Sequence, residues 1–277
     1  MLKTILVGLD GSAYSQTAAR LAHEWSGRFQ ARLVGLGIID EPAIRKSEAV
    51  PLGASYYKHL SEEERLAEAR QRVERFLAEF ARGCAEAGLS CQLLVEVGSP
   101  YEQIVREAQR CDLIVLGQQT YFHFETQERA CDTLQSVLKS APRPVVTVPE
   151  KLGAGRATVI AYDGSLQAAR ALQVFQALGL AGSGPVEVVS VAAGHEDAER
   201  RCALAVEYLG SHQIQARPQP LVSGRDPGQL ILEQAQRLGA GLLVMGAYGQ
   251  ATLREFVLGS VTRTVLKETT VPLFLYH

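Results

Sequence analysis

The chain has 277 residues, 47% of them apolar and 21% charged, with a formal net charge of −2. That length holds one large domain or two of about 100–150 residues, and the composition is that of an ordinary globular protein. Near-neutral charge excludes a global basic field for nucleic acid, and no apolar run reaches the roughly 18–20 residues of a membrane span. The five cysteines are odd in number and form no CxxC pair. They read as free thiols in a reducing cytoplasm rather than as a zinc site or disulfide framework.

Thr4 to Leu9 is a continuous apolar run that ends in Asp10-Gly11-Ser12, the pattern of a buried strand entering a turn. Ala18, Leu21, Ala22 and Trp25 then recur at helical spacing, and Ala31 to Ile39 reads as a second strand. From Asp40 to about Glu62 the pattern breaks, with two prolines, a glycine and Tyr56-Tyr57. A long helix is predicted from about Ser61 to Ala87, with Ser61 as cap, acids in its first turn, and Leu66, Val73, Phe76, Leu77 and Phe80 as its buried stripe. Cys91 to Val97 is a third strand, and Gly98-Ser99-Pro100 opens a helix. Leu113 to Leu116 is a fourth strand ending at Gly117, a helix follows over about Asp132 to Lys139, and Val145 to Val148 is a fifth strand. Five strands alternating with helices predict a doubly wound parallel sheet of the α/β class.

The pattern then begins again. Thr158 to Tyr162 runs into Asp163-Gly164-Ser165, as Thr4 to Leu9 runs into Asp10-Gly11-Ser12. Gly224-Arg225-Asp226-Pro227 echoes Gly98-Ser99-Pro100, Ala235-Gln236-Arg237 repeats Ala108-Gln109-Arg110, and Leu242 to Gly246 repeats Leu113 to Gly117. Val265-Leu266-Lys267 repeats Val137-Leu138-Lys139, and Pro272 matches Pro144. An ordered series of matches is the mark of a tandem duplication. It predicts two five-stranded domains, 1–150 and 151–277, joined by the weakly apolar stretch 149–156. Val145–Val148 and Leu273–Tyr276 are apolar on both faces, so exposed they would be aggregation edges. Pairing the two fifth strands within one chain would cover both; further homodimerisation is left open.

Gly246 to Thr262 is the stretch with the clearest chemistry. Gly246 and Gly249 follow an apolar strand, and Gly259-Ser260 opens the next helix. Backbone N–H groups of such a loop, a helix N-terminus and a hydroxyl can hold phosphates; a turn with glycines for steric reasons is the alternative. In an open parallel sheet the ligand lies at the carboxyl ends of the strands where winding reverses, which brings Asp163 beside this loop. Its carboxylate would accept from ribose hydroxyls, or else cap the next helix. The base would reach toward Val191 and Ala192.

With these residues in view, the chain resembles a tandem universal stress protein of the adenine-nucleotide α-hydrolase-like superfamily. The family's spacing of Gly, two residues, Gly, nine residues, Gly and Ser or Thr is met by Gly246, Gly249, Gly259 and Ser260. The resemblance implies a Rossmann-like fold in both halves. It also implies binding of ATP or AMP, with Mg2+ as an optional companion. It places Asp163 on the ribose side, Val191 near the adenine, and Gly246, Gly249, Gly259, Ser260 and Val261 around the phosphates. It implies a stress-linked role with no well-defined turnover reaction, which reads as signalling or regulatory; the composition adds the expectation of a cytoplasmic protein with no nucleic-acid or membrane partner. In the first half Gly117 matches Gly246, but Thr120 stands for Gly249, and Cys131 and Asp132 for Gly259 and Ser260. Side chains at the glycine positions, an Asp in place of the hydroxyl, and Glu125 and Glu128 between them predict no nucleotide in that half. Tyr121, Phe122 and Phe124 there read as packing.

Catalytic motifs are few. The six histidines form no HxxxH or HExxH. Ser12 and Ser165 lie in D-G-S turns rather than G-x-S-x-G elbows, and neither a P-loop nor G-x-G-x-x-G occurs. Slow ATP hydrolysis, with Arg254 and Glu255 at the phosphates, is the enzyme reading that stays open, alongside an interaction protein with no bound nucleotide.

Overall fold

In the computed structural model the described residues are 1–45, 55–122, 133–247 and 259–277, the side chains of 55–57 excepted. The chain folds as two compact units, Lys3–Pro142, and Met1–Leu2 together with Arg143–His277.

The unit Lys3–Pro142 runs β1 (Thr4–Leu9), α1 (Ala13–Phe29), β2 (Arg32–Ile39), α2 (Glu41–Ile44), α3 (Ser55–Glu86), β3 (Cys91–Val97), α4 (Pro100–Ala108), β4 (Leu113–Gly117) and α5 (Thr133–Ser140). Its strands are parallel in the order β3-β2-β1-β4. Thr4–Leu9 has no charged side chain, and five of its six residues are buried, as a strand covered on both faces requires. The break to helix comes at Ser12, whose Oγ accepts from Ser15 N at 3.1 Å. Pro100 occupies the first turn of α4, where its missing N–H costs nothing.

Helix α3 begins at Ser55, earlier than the Ser61 cap predicted from sequence. No Pro or Gly separates Ser55 from Ser61, so nothing stops the helix from extending toward its N-terminus. Glu62, expected as a first-turn acid, is buried mid-helix, with Lys58 and His59 each 3.7 Å from its carboxylate.

The unit completed by Arg143–His277 runs β5 (Val145–Val148), β6 (Ala157–Ala161), α6 (Leu166–Leu178), β7 (Val186–Ala192), α7 (His195–Ser211), β8 (Ala216–Val222), α8 (Pro227–Arg237), β9 (Ala240–Gly246), α9 (Ser260–Glu268) and β10 (Leu273–Tyr276). Its strand order is β5-β10-β9-β6-β7-β8. All neighbours are parallel except β5 and β10, which pair antiparallel through Leu273↔Thr147, Phe274↔Val146 and Leu275↔Val145. These residues are fully buried or nearly so, and the Phe274 ring meets Phe175 edge-on at 6.1 Å. The outer strand β8 carries Pro218 and Pro220, which lack N–H donors and blunt that edge.

β6 lies between β7, the next strand in the chain, and β9, reached from the opposite direction. The winding therefore reverses at β6, and the crevice at its carboxyl end is where such sheets place ligands.

Candidate functional site

The crevice starts from the turn after β6. Gly164 has φ +79°, a left-handed conformation that strains any residue with a Cβ. The turn aims Asp163 outward and hands the chain to α6, whose cap is Ser165: its Oγ accepts from Ala168 N at 3.2 Å. Asp163 is thus not the helix cap. Its Oδ1 accepts from Ser165 N at 2.9 Å, and its exposed carboxylate keeps Oδ2 without a hydrogen-bond partner among the described residues.

From β9 and α9 comes the opposite wall. Helix α9 starts at Ser260 with Gly259 as its cap residue, and no side chain among the described residues caps its first turn. Its leading N–H groups carry the positive end of the helix dipole. Gly246 ends β9 against the start of α6: a Cβ there would stand 2.6 Å from Ala168 N and from the Gln167 carbonyl carbon. That glycine is required by close backbone approach whatever else it does.

Together these elements enclose a cavity of about 350 Å³, within the usual range of roughly 300–1,000 Å³ for small-molecule sites. Asp163, Val191, Gly246, Gly259, Ser260 and Val261 all line it. Gly249 lies outside the described residues, as do Phe124, Glu125, Glu128, Cys131, Asp132, Arg254 and Glu255. Val189 and Val191 of β7, Ile231 of α8 and Met245 of β9 supply an apolar surface. Asp163 is the single carboxylate among the described lining residues.

Residues passed over in the sequence also line the cavity. Thr262 adds a buried hydroxyl on the first turn of α9. Tyr162 precedes Asp163; burial, and next the neighbouring carboxylate, push its phenol above the usual range, which keeps it a neutral donor. Arg201 of α7 crosses the turn, its Cγ 3.6 Å from the position of a Gly164 Cβ, and its Nη1 donates to the Val191 carbonyl at 3.5 Å. Tyr162 could have been noticed as the neighbour of Asp163. Arg201 carried no signal of its own, since a charged residue on an amphipathic helix reads as solvated.

The matching turn of the other unit is differently filled. Gly11 has φ +77°, and Ser12 caps α1 as Ser165 caps α6. Asp10, however, is buried, and both its oxygens are taken. Oδ1 accepts from Ser12 N at 2.9 Å and Ser12 Oγ at 2.6 Å, and Oδ2 accepts from Tyr121 N at 2.5 Å. The loop after β4 thus turns back onto Asp10, with Thr120 and Phe122 buried beside it. Phe76 of α3 lies on Gly11 so closely that any Cβ there would enter its ring.

The sequence profile described as "Universal stress protein family" matches residues 1–149 and again 156–277. A universal stress protein of Synechocystis is 24% identical over 289 aligned positions, covering the whole of both chains. In structure the chain is similar to a universal stress protein from Archaeoglobus fulgidus, with TM-score 0.73 and 19% identity over 99% of this chain and 95% of that one. A functionally unknown protein from Pseudomonas aeruginosa gives TM-score 0.63 and 15% identity over 99% and 92%.

Proposed function

The chain belongs to the universal stress protein family, and on that premise we propose that it binds one adenine nucleotide, ATP or AMP, in the crevice of the Arg143–His277 unit. Asp163 accepts from the ribose hydroxyls, and the apolar wall at Val191 takes the adenine. Gly246, Gly249, Gly259, Ser260 and Val261 surround the phosphates. The observation that carries this reading is that the uncapped N-terminus of α9 and the open carboxylate of Asp163 line one cavity. Anion-binding donors at one end and a hydrogen-bond acceptor at the other match a phosphorylated sugar.

A Mg2+ ion would sit on the phosphates and water, since it keeps most of its hydration in nucleotide sites; Asp163 is the described carboxylate able to approach it. The role is regulatory: the bound nucleotide sets a state that a partner reads, in a stress response. The Lys3–Pro142 unit does not bind nucleotide in this mode. In support, Asp10 is already saturated and Phe76 occupies the space above its turn.

The test is calorimetric titration with ATP of the wild type and a Gly259→Cys, Ser260→Asp variant. A carboxylate at the phosphates and a side chain at the cap weaken binding by about a hundredfold, near 2.7 kcal/mol. Equal affinity in the two proteins would remove the phosphate assignment.

A further inference from the structure

Arg201 is the one cationic side chain lining the cavity among the described residues. It is half-buried on α7 and makes no ion pair with a described carboxylate, Asp163 included. A guanidinium held in a crevice with only one carbonyl contact, at 3.5 Å, retains most of its hydrogen-bonding capacity for something else.

The other unit shows that the fold does not need this cation. The register that pairs Cys91 of β3 with Ala216 of β8 pairs Phe76 with Arg201. Both side chains cover the glycine of a D-G-S turn, Phe76 over Gly11 and Arg201 over Gly164. The buried residues around them correspond as well, Val73 with Ala198, Leu77 with Cys202 and Phe80 with Ala205. A phenyl ring meets the packing requirement; a guanidinium at the same place is left with a polar task.

Strand order fixes which end of the cavity Arg201 serves. Gly246, Gly259 and Ser260 stand at the β9 side, whereas Arg201 holds the carbonyl at the end of β7, with β6 between. The phosphate donors and Arg201 are thus at opposite ends.

We infer that Arg201 is a nucleobase-contact residue, covering the base end of the ligand; this rests on the nucleotide reading above. Its flat guanidinium is always charged and only donates. It therefore favours a ring that offers both a π-face and acceptor nitrogens, as a purine does. The contact is made to the nucleoside and is independent of how many phosphates follow.

Titrating adenosine, AMP and ATP into the wild type, Arg201→Ala and Arg201→Lys separates the outcomes. The alanine variant weakens all three ligands by the same factor, about tenfold, and lysine falls between. The ratio of ATP to adenosine affinity stays constant, which a general loosening of the phosphate loop would not preserve. Unchanged affinities in Arg201→Ala overturn the inference. A loss confined to AMP and ATP also overturns it, by moving Arg201 to the phosphates. A wild type that binds none of the three refutes the nucleotide reading itself, and the inference with it. Arg201→Gln, which keeps the stem over Gly164, serves if the alanine variant melts early.

Discussion

The turns Asp10-Gly11-Ser12 and Asp163-Gly164-Ser165 share sequence, backbone conformation and helix cap, yet one is closed and the other open. Around the first, the carboxylate is buried under three hydrogen bonds and a phenylalanine covers the glycine. Around the second, the carboxylate faces the cavity with one oxygen unpartnered among the described residues, and an arginine takes the place of the ring. The parts common to both, a left-handed glycine and a serine cap, are what the strand-to-helix turn demands. The parts that differ are not demanded by the turn, and the proposed ligand would account for them.

Substitutions can break this comparison at graded depth. The largest effect is expected at the glycines. Gly11→Ala adds a Cβ inside the Phe76 ring to a strained φ and costs about 3 kcal/mol. Gly164→Ala meets no atom of the described residues closer than 3.6 Å and costs about 1 kcal/mol, the conformational strain alone. Denaturant titration of both variants checks the asymmetry, and equal losses would mean that Phe76 does not seal the first turn.

Next come the carboxylates. Asp10→Ala leaves three donors unsatisfied and destabilises by about 2 kcal/mol. Asp163→Ala stays within about 0.5 kcal/mol in stability, while nucleotide affinity falls about tenfold with its ribose acceptor gone. The pair therefore trades a folding defect for a binding defect, measured by thermal unfolding and calorimetry.

The serine caps sharpen the comparison in part. Ser12→Ala and Ser165→Ala each lose one cap hydrogen bond, at 3.1 Å and 3.2 Å, a loss of about 1 kcal/mol. Ser12→Ala also removes the hydroxyl that donates to buried Asp10 at 2.6 Å and costs about 1 kcal/mol more. Equal denaturant midpoints for the two variants would show that the hydroxyl does not help to close the first turn.

The smallest effect concerns Tyr162, which stands where the other turn has Leu9. Burial disfavours its phenolate, so it ionises above the ordinary value of 10.0, and Asp163 adds to the shift. An ultraviolet pH titration of Asp163→Asn moves that ionisation slightly down, because only the second cause is removed. The unfolded chain ionises first, so this residue's contribution to stability is full below pH 10.0 and declines as pH rises through the folded value.

Much of this architecture was legible because strands buried on both faces must be uniformly apolar and because the duplication repeats its punctuation. Thr4–Leu9 and Leu113–Gly117 fall where their hydrophobic runs placed them, as does Cys91–Val97, a half-exposed edge strand with Gln92 and Glu96 in it. The start of α3 was not legible: Ser61 followed by acids imitates a cap, while the helix continues to Ser55 and Glu62 lies 3.7 Å from both Lys58 and His59. Gly246 was read for its closeness to phosphate, and its position against the start of α6 adds a steric demand that spacing does not show. Gly117 in the other unit meets a similar constraint, with a Cβ there 2.7 Å from Tyr14 Cβ. The glycine common to both halves is therefore architectural, and Gly259 and Ser260 are the better witnesses to a ligand. Arg201 and Thr262 escaped because a sequence does not say which polar residue of a helix turns toward the cavity.

The central claim is that one of two similar turns is open to nucleotide and the other closed. The stoichiometry of ATP in a calorimetric titration of the intact wild-type chain tests it most directly. The account predicts one site per chain, lost in the Gly259→Cys, Ser260→Asp variant. Two sites per chain, or one site that survives that variant, would contradict it.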